Sequence, residues 1–508
     1  MAGANYTRLG LCAFALAGVL ALSGAASAPA SAGAGANAKT KGKGKKTKAE
    51  RKRALRRKNA RQKRPNVVVI MTDDQNNTME GLPFTQRALG ATGTNFRNSY
   101  VSFPLCCPSR ATFLTGQYSH NHGVFSTELP NGYNGLNHAN TLPGWLRTSG
   151  YRTAMVGKYL NGYGIDYGID EPVADAREIP PGWAEWYGLT GGLEQRRYKY
   201  KLNEQGKIRF YKRGARNYVT DVLASKAVDF VKRRARFPKP FFLWFNPTAP
   251  HGEAGVFPGA TRDPQPAPRH LGRYEFAQAP RTPNFNEADV SDKPNSVAGA
   301  PKLDAGDIAD VDRRERGRLE SLLAVDDAVK RIVGKLRKSK DMRKTYIVFT
   351  SDNGLLLGSH RLRFKNYIYE ETTRVPLIVS GPKFPRGATR DQLVSNVDLA
   401  PTIAQLAKVA PGLTTDGRSL VPVARNPGFG TGREILFEST INGGSLGIRS
   451  GPWVYLYNGP DETPELYNLN SDPFQVNSLH ANPAYASLRN QLAAKVSLYR
   501  NCSGLSCP

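Results

Sequence analysis

A short segment around residue 106 combines residue types that could carry out nucleophilic chemistry. Residues 105–116 contain two adjacent cysteines, then Pro108, Ser109 and Arg110, and then a run that can form a helix. Proline suits the first turn of a helix, and the free backbone N–H groups of that turn attract anions. A thiol beside a guanidinium there could be a low-pKa nucleophile. A lone cysteine is more often an inert buried thiol, so the case for a nucleophile depends on other residues.

Two pairs of oxygen-bearing side chains could hold a divalent cation. Asp73 and Asp74 follow one apolar run, and Asp352 and Asn353 follow another. Hard oxygen donors without neighbouring histidine or cysteine suit Ca²⁺ or Mg²⁺ better than zinc. Either pair alone would more often be a turn or a helix cap. The two pairs together with the Cys106 segment favour a metal site.

The elements that must position these side chains are predicted by apolar runs. Residues 65–71, 241–245 and 346–350 are β-branched or aromatic without alternation, which is typical of buried parallel strands. Residues 375–379 could form a fourth strand, and Pro376 predicts that it lies near a sheet edge. Helices are predicted at residues 219–234, 313–338 and 399–409.

Strands that alternate with helices predict an α/β domain with a mainly parallel sheet. Ligands bind such sheets beyond the carboxyl ends of the strands. Here three predicted strands end in Asp73-Asp74, in a loop that contains His251, and in Asp352-Asn353. This coincidence is the strongest indication of an active site that is independent of any family. Asp326 falls on the apolar stripe of a predicted helix, and we expect it to be paired or to cap a helix.

The C-terminal part of the chain has a different pattern. Short alternating runs follow residue 430, which predicts a smaller antiparallel sheet closed by a helix at residues 485–500. We therefore assign residues 65–430 to a catalytic domain and residues 431–508 to a C-terminal subdomain. Residues 257–301 are rich in Pro, Arg, Asn and Gly, and we expect this insertion to line a substrate cleft.

The N-terminal region predicts export. An apolar run at residues 9–22 follows Arg8 and precedes small residues, which is typical of a signal peptide ending near residue 32. Residues 33–64 form a polybasic segment that we expect to be disordered, either a solvated spacer or a tether to a polyanion. No later run is long enough to cross a membrane, and no aromatic interleaving suggests nucleic-acid binding.

The charge of the rest of the chain suits an anionic substrate. Of the net charge of +29, residues 39–64 contribute +14 and Arg8 contributes +1, which leaves +14 for the remainder.

The cysteines allow one disulfide. Cys106 and Cys107 are adjacent, and their Cα spacing of about 3.8 Å lies below the usual disulfide span of about 4.4–6.8 Å. Cys502 and Cys507 can close a short loop near the C-terminus, which an exported protein would retain.

The string Cys106-Cys107-Pro108-Ser109-Arg110, followed by Leu114-Thr115-Gly116, resembles the signature of type I sulfatases in the alkaline phosphatase superfamily. The resemblance implies an alkaline-phosphatase-like fold and oxidation of Cys106 to formylglycine by a formylglycine-generating enzyme. It also implies Ca²⁺, with Mg²⁺ as the alternative. The implied ligands are Asp73, Asp74, Asp352, Asn353 and the modified residue 106.

The same resemblance assigns roles to four basic residues. Arg110 would hold the formylglycine and metal region, and Lys158 lies in a matching Gly-Lys segment. His251 matches a histidine that binds sulfate or donates a proton, and Lys365 matches a lysine that bridges sulfate and leaving oxygen. Many relatives have histidine where this chain has Leu160, so we expect Asn161 to take over that contact.

Three further histidines receive lesser roles. His120 and His122 follow the signature, and we expect them to be structural or to lie at the pocket rim. His360 is a candidate for contacting substrate.

The preferred function is hydrolysis of sulfate monoesters on a sulfated carbohydrate or an aryl alcohol. The paired cysteines and residues 157–161 look most like N-acetylglucosamine-6-sulfatases, which implies a sulfated amino sugar. One rival is a phosphodiesterase or phosphonate monoester hydrolase on the same scaffold, where histidine often replaces Asn353. The other is a secreted polyanion-binding protein with a decayed site, against which the intact set of ligand-type residues argues.

Overall fold

The fold is organised around strand β1 (Asn66–Thr72), whose seven residues are all buried. A computed structural model describes residues 47, 49–50, 53, 64–128, 131–165, 175–192, 196–235, 237–254 and 261–508. The predicted signal peptide lies outside the described residues, as does nearly all of the polybasic segment. Residues Arg51–Pro508 form one unit.

Ten strands form one mixed sheet in the order β13-β2-β12-β11-β1-β8-β4-β5-β6-β7. The five strands from β11 to β5 are mutually parallel, as predicted, and antiparallel strands flank them. The strands of this sheet are β1 (Asn66–Thr72), β2 (Gly93–Phe96), β4 (Arg152–Gly157), β5 (Glu185–Thr190), β6 (Tyr200–Glu204), β7 (Lys207–Tyr211), β8 (Phe241–Asn246), β11 (Thr345–Ser351), β12 (Leu377–Ser380) and β13 (Ala388–Arg390). Short two-stranded pairs are formed by β3 (Ser99–Tyr100) with β14 (Val394–Ser395) and by β9 (Glu253–Ala254) with β10 (Thr261–Arg262).

Helices cover both faces of the sheet because alternate β1 residues point to opposite sides. Val67 and Val69 join a core that includes Phe113, whereas Val68 and Ile70 join a core that includes Val329. The α-helices span Pro83–Thr85, Cys106–Thr115, Ser119–His122, Leu142–Thr148, Val219–Arg234, Asn295–Ala298, Ala305–Lys338, Glu370–Thr373, Leu399–Ala407, Leu420–Arg425 and Ala486–Tyr499. We call Cys106–Thr115 the signature helix and Ala305–Lys338 the long helix. No helix in the described part of the chain is long and apolar enough to cross a membrane.

The long helix begins eight residues before the predicted start. Residues 305–312 contain three aspartates and a glycine, and only Ile308 and Val311 extend the apolar stripe there. Asp304 caps the helix by accepting the Asp307 N–H at 2.8 Å. The prediction for Asp326 is confirmed. Its carboxylate accepts the backbone N–H groups of Phe84 and Thr85 at 2.8 and 2.7 Å, and it thereby caps the helix Pro83–Thr85.

The fourth strand, predicted to lie near a sheet edge, is β12, which is third from one end of the ten-stranded sheet and is not the edge strand. Strand β12 pairs with β11 on one side and with β2 on the other. Pro376 precedes the first strand residue, Leu377, so its missing N–H removes no ladder bond.

A separate four-stranded antiparallel sheet lies in the C-terminal part, as predicted. It consists of β15 (Glu434–Ser439), β16 (Ser445–Ser450), β17 (Trp453–Tyr457) and β18 (Glu465–Asn468). Leu492 and Val496 of the helix Ala486–Tyr499 pack on this sheet against Ile448 and Tyr455. The proposed domain boundary at residue 430 stays a prediction.

Candidate active site

The signature helix places Cys106 at its first residue, and every residue of the helix is buried. Leu105 enters the helix in an extended conformation, and Gly116 ends it in a left-handed conformation with φ 71°. Asn396 holds the helix by donating to Ser109 Oγ at 3.0 Å. The cysteine is therefore fixed at a helix N-terminus inside the protein, not on a mobile loop.

The two predicted oxygen-ligand pairs meet because β1 and β11 are parallel neighbours, with Thr72 opposite Ser351. Asp352 Oδ1 accepts the backbone N–H of Asp74 at 3.1 Å, and Asn353 Nδ2 donates to Asp74 Oδ1 at 2.6 Å. Asp73, Asp74, Asp352 and Asn353 are all almost completely buried. The side chains lie together at the carboxyl ends of the strands.

Two lysines connect this carboxylate group to Cys106. Lys365 Nζ lies 2.8 Å from Cys106 Sγ and 2.6 Å from Asp74 Oδ1. Lys158 Nζ donates to Asp73 Oδ2 at 2.7 Å, and Asp73 Oδ1 accepts the Cys106 thiol at 3.5 Å. The thiol thus lies among groups that can neutralise and orient an anion.

Arg110 ties the signature helix to both strand ends. Its Nε donates to Asp352 Oδ2 at 2.8 Å and its Nη1 donates to the Lys158 carbonyl at 2.9 Å. Its Nη2 lies 4.0 Å from Asp73 Oδ2 and has no hydrogen-bond partner among the described residues. A fully buried guanidinium with one nitrogen unpaired can position the strand ends and still donate a hydrogen bond to a further oxygen.

The surrounding charges set the ionisation of the carboxylates. Burial alone would raise the pKa of Asp73, but the charges of Lys158, His251 and Arg110 hold it below its ordinary value. Burial and the neighbouring Asp73 raise the pKa of Asp352 to about 6, against the opposing effect of Arg110. Burial raises the pKa of the Cys106 thiol to about 12. An unmodified Cys106 is therefore a neutral thiol and not the reactive thiolate that the sequence left open.

The donor set fits a divalent cation. Single ligand atoms of Asp73, Asp74, Cys106 and His251 all lie within 4.8 Å of one another. Asn353 Oδ1 is buried and has no hydrogen-bond partner within the described parts of the chain. Because a buried carbonyl oxygen without a partner is costly, a cation that this oxygen could bind would relieve the deficit. The group is a possible acidic metal site.

His251 faces the same carboxylates from the loop after β8. Its Nε2 lies 3.5 Å from Asp74 Oδ2, and its Nδ1 lies 2.7 Å from the Gly252 carbonyl. Burial lowers the pKa of His251 to about 4, although Asp74 opposes this shift. The imidazole is therefore neutral near pH 7.

Arg197 positions the His251 loop, and our sequence analysis missed it. Its fully buried guanidinium donates to Thr248 Oγ1 at 2.9 Å and to the His251 carbonyl. Arg197 lies in a polar stretch without a motif. Its role depends on a contact across 54 residues of sequence, which no local pattern reveals.

Two glycines let the main chain at the strand ends approach neighbouring main-chain segments closely. A Cβ on Gly157 would lie 1.9 Å from the Asn246 carbonyl oxygen, and one on Gly354 would lie 1.9 Å from the Glu371 carbonyl oxygen. Gly157 also has φ 120°, which side chains rarely allow. These glycines precede Lys158 and follow Asn353, so the main chain fixes the spacing of the site.

Two lesser assignments from the sequence are wrong. Asn161 contacts Cys107 rather than Cys106, because its backbone N–H donates to Cys107 Sγ at 2.8 Å. His360 is completely buried, with Nδ1 2.6 Å from Glu287 Oε2 and Nε2 3.3 Å from Asn284 Nδ2, so it cannot contact substrate.

His120 and His122 have structural contacts, as expected. His120 Nδ1 lies 2.8 Å from Glu438 Oε1, and His122 Nε2 lies 3.1 Å from Thr112 Oγ1.

A cavity of about 190 Å³ leads to the site. Asp74, His251 and Lys365 line its inner part. From the insertion predicted to line a cleft, Pro264 contributes to the wall, whereas Tyr274 and Ala279 bond to the long helix. A small anionic ester can therefore reach the carboxylate and lysine group from this cavity.

The helix-flanked parallel sheet, with its polar residues at the carboxyl ends of the strands, is that of an alkaline-phosphatase-like hydrolase. The Sulfatase family model matches residues 65–409, and the model described as N-sulphoglucosamine sulphohydrolase, C-terminal, matches residues 358–501. The chain belongs to the sulfatase family, and it is a sulfuric ester hydrolase.

Individual relatives agree with this assignment. Human N-acetylglucosamine-6-sulfatase is 32% identical over 496 residues, which cover 88% of this chain and 86% of the human protein. The Drosophila melanogaster extracellular sulfatase SULF-1 homolog is 32% identical over 72% of this chain, although the match spans only 32% of that longer protein. A solved structure in complex with its substrate D-glucosamine-2-N,6-O-disulfate has a TM-score of 0.69 and 26% identity, and covers 86% of this chain and 97% of that one.

Proposed function

We propose that this protein is an exported, Ca²⁺-dependent sulfatase that removes the 6-O-sulfate from glucosamine-type sugars. The observation that carries the proposal is the position of Cys106 Sγ, 2.8 Å from Lys365 Nζ and 3.5 Å from Asp73 Oδ1 at the strand ends. The substrate class is supported by the human relative and by the sugar bound in the matching structure.

Conversion of Cys106 to formylglycine by its maturation enzyme would supply a hydrated aldehyde with two hydroxyl groups. One hydroxyl would lose its proton and attack sulfur, while the bond between sulfur and the sugar oxygen breaks and that oxygen takes up a proton. Loss of a proton from the second hydroxyl would then break the new carbon–oxygen bond to sulfate, release sulfate and restore the aldehyde, and a thiol offers no such second step. Asp73, Asp74, Asp352 and Asn353, with residue 106, would hold Ca²⁺, which neutralises sulfate oxygens and lowers the pKa of a bound hydroxyl. All four are oxygen donors, which favours Ca²⁺ over a transition metal.

The basic residues of the chain would bind and orient the ester. Lys158 and Lys365 reach the carboxylates from two sides, so their ammonium groups can neutralise sulfuryl oxygens. The His251 imidazole lies on the cavity wall and is neutral, so it can accept a proton or donate a hydrogen bond, according to its tautomer. Arg110 keeps the two strand ends and the signature helix in register.

Sulfate release from N-acetylglucosamine 6-sulfate tests the proposal directly. The protein should be produced together with a formylglycine-generating enzyme, and the peptide that contains residue 106 should be weighed. We expect a mass about 18 Da below that of the cysteine form, together with turnover that chelation abolishes. Full activity of a preparation in which Cys106 is unmodified would overturn the mechanism.

The alternative is a phosphodiesterase or phosphonate monoester hydrolase, because the same carboxylates and lysines could also bind a phosphorus ester. Comparison of kcat/KM for 4-nitrophenyl sulfate with kcat/KM for 4-nitrophenyl phosphate and a phenylphosphonate separates the reactions. We expect the sulfate ester to be preferred, and a large advantage for either phosphorus ester would reject the proposed substrate class.

A further inference from the structure

The cavity that leads to the active site is also lined by arginines. Beyond Asp74, His251 and Lys365, its wall includes Arg314, Arg318 and Arg363, which we call the arginine rim. Among the described wall residues, Asp74 is the only acid, and Lys365 binds it at 2.6 Å. The wall therefore presents three guanidinium groups in addition to the groups that would neutralise the scissile sulfate.

Arg318 is the most buried of the three arginines. The side chain is 4% exposed; its Nε donates to Glu315 Oε2 at 3.0 Å, and its Nη2 donates to Asn76 Oδ1 at 2.5 Å. Asn76 is itself held by its donation to the Leu355 carbonyl at 2.7 Å. The guanidinium is thus fixed on two sides before any substrate binds.

The remaining Arg318 nitrogen has no partner. Nη1 is buried and makes no hydrogen bond to any part of the chain that the structure describes. A buried guanidinium N–H without an acceptor is costly, and an oxygen of a bound molecule would relieve that cost. Since Arg318 lines the cavity, the structure points to an acceptor on the substrate.

The outer two arginines are neutralised from outside the cavity. Arg314 lies 3.6 Å from Asp263 Oδ1, and Arg363 lies 2.5 Å from Asp307 Oδ1. Neither carboxylate is part of the cavity wall. These pairs hold the arginine side chains in place, while no acid on the wall beside them would repel an anion.

Phe364 adds an apolar surface between Arg363 and Lys365. Its side chain is 67% exposed and lines the same cavity. An exposed aromatic ring beside cationic groups suits a pyranose, which presents C–H groups on one face and polar substituents at its edge.

We propose that the arginine rim binds a second sulfate group on the sugar that carries the scissile 6-O-sulfate. Arg318 Nη1 is the central donor, Arg363 and Arg314 can supply further N–H donors, and Phe364 supports the ring. The inference rests on the proposed function, because it takes the scissile sulfate to be bound at Cys106.

Calorimetry on the Cys106→Ala protein with Ca²⁺ tests the rim without turnover. The two probes are D-glucosamine-2-N,6-O-disulfate and N-acetylglucosamine 6-sulfate, which differ in charge at one substituent. Since charge-assisted hydrogen bonds are strong, we expect the disulfate to bind about tenfold more tightly. Arg318→Gln and Arg363→Gln should each reduce this preference. The second variant guards against misfolding of the first, because Arg363 is more exposed.

Arg313→Gln is the matched control. Arg313 lies on the same helix and also binds Asp263, but it is exposed and does not line the cavity. We expect this variant to keep the full preference for the disulfate.

Equal affinity of the Cys106→Ala protein for both sugars would overturn the proposed role of the arginine rim. An undiminished preference for the disulfate in both rim variants would overturn it as well. If the rim preference holds and the active protein releases no sulfate from either sugar, the proposed reaction fails and the binding inference stands.

Discussion

Two clusters in this protein have the residue types of a metal site, and they differ in what their atoms are already doing. Asp73, Asp74, Cys106 and His251 form the first, and His120, Cys502 and Cys507 form the second, which we call the distal cluster. In the distal cluster the cysteines form a disulfide, and the two His120 nitrogens lie 2.8 Å from Glu438 Oε1 and from the Cys502 carbonyl.

The active-site cluster, by contrast, has bonding capacity left over. Two atoms beside the cluster, Asn353 Oδ1 and Arg110 Nη2, have no hydrogen-bond partner among the described residues. Asp74, to which Asn353 Nδ2 donates, lines the cavity. Buried polar groups that are fully paired stabilise a fold, whereas unpaired ones beside a cavity mark a place for a ligand. Unused coordination capacity, and not residue type, separates the two clusters.

The largest expected contrast comes from the two adjacent cysteines. Cys106→Ala should reduce sulfate release on the order of 10⁴-fold or more, because it removes the nucleophile. Cys107→Ala is the matched control, since the Cys107 sulfur contacts Asn161, whereas the Cys106 sulfur contacts Asp73. It should keep its activity and lose only some stability. Comparable losses of sulfate release in the two variants would contradict the assignment.

The second-largest contrast is in the Ca²⁺ affinity of variants at the two clusters. Asn353→Ala removes the unpaired oxygen, and we expect Ca²⁺ to bind roughly tenfold to a hundredfold more weakly by calorimetry. His120→Ala, in the distal cluster, should bind Ca²⁺ as the parent protein does. If the His120 variant loses calcium and the Asn353 variant does not, the metal site has been placed in the wrong cluster.

The disulfide should matter for stability and not for catalysis. Replacing Cys502 and Cys507 by serine should lower the free energy of unfolding by roughly 2 kcal/mol, as expected for a short loop. Sulfate release measured well below the unfolding temperature should be unchanged. Urea unfolding and initial rates on the same preparations check both statements, and a loss of rate in the folded variant would link the distal cluster to the reaction.

The smallest effect concerns pH. Burial alone would lower the pKa of His120, but its hydrogen bond and charge interaction with Glu438 hold it above the ordinary value near 6.5. The protonated histidine therefore stabilises the fold fully below that ordinary value, and the contribution is lost as pH rises through the raised pKa. In the parent protein, the free energy of unfolding should fall as the pH rises from about 6.5 through the raised pKa of His120. The His120→Gln variant should lack that component, and identical pH profiles would reject the ion pair.

The sequence predicts most of the frame because the frame depends on local patterns. The apolar runs predict β1, β8 and β11, and amphipathic spacing predicts the helix Val219–Arg234 with the observed bounds. Parallel pairing then brings the polar residues after β1 and β11 together without further information. The failures concern pairing between distant segments. No local pattern shows that β12 lies inside the sheet or that the His360 imidazole is hydrogen-bonded to Glu287.

Residues that act through distant partners were also missed. Arg197 and Arg318 lie in polar stretches where a solvated side chain is the ordinary expectation. Their importance arises from burial against Thr248 and Asn76, which only the assembled fold creates.

The close approaches at Gly157 and Gly354 have a consequence for how such a protein can change. A side chain at either glycine would collide with a neighbouring carbonyl oxygen. A substitution at these positions therefore displaces the main chain that holds the site, even if it changes no charge. The mouth has no such constraint, since Arg363 and Phe364 have exposed side chains. Single substitutions at the mouth can therefore change the substrate preference, whereas residues of the reactive centre can change only together with the main chain around them.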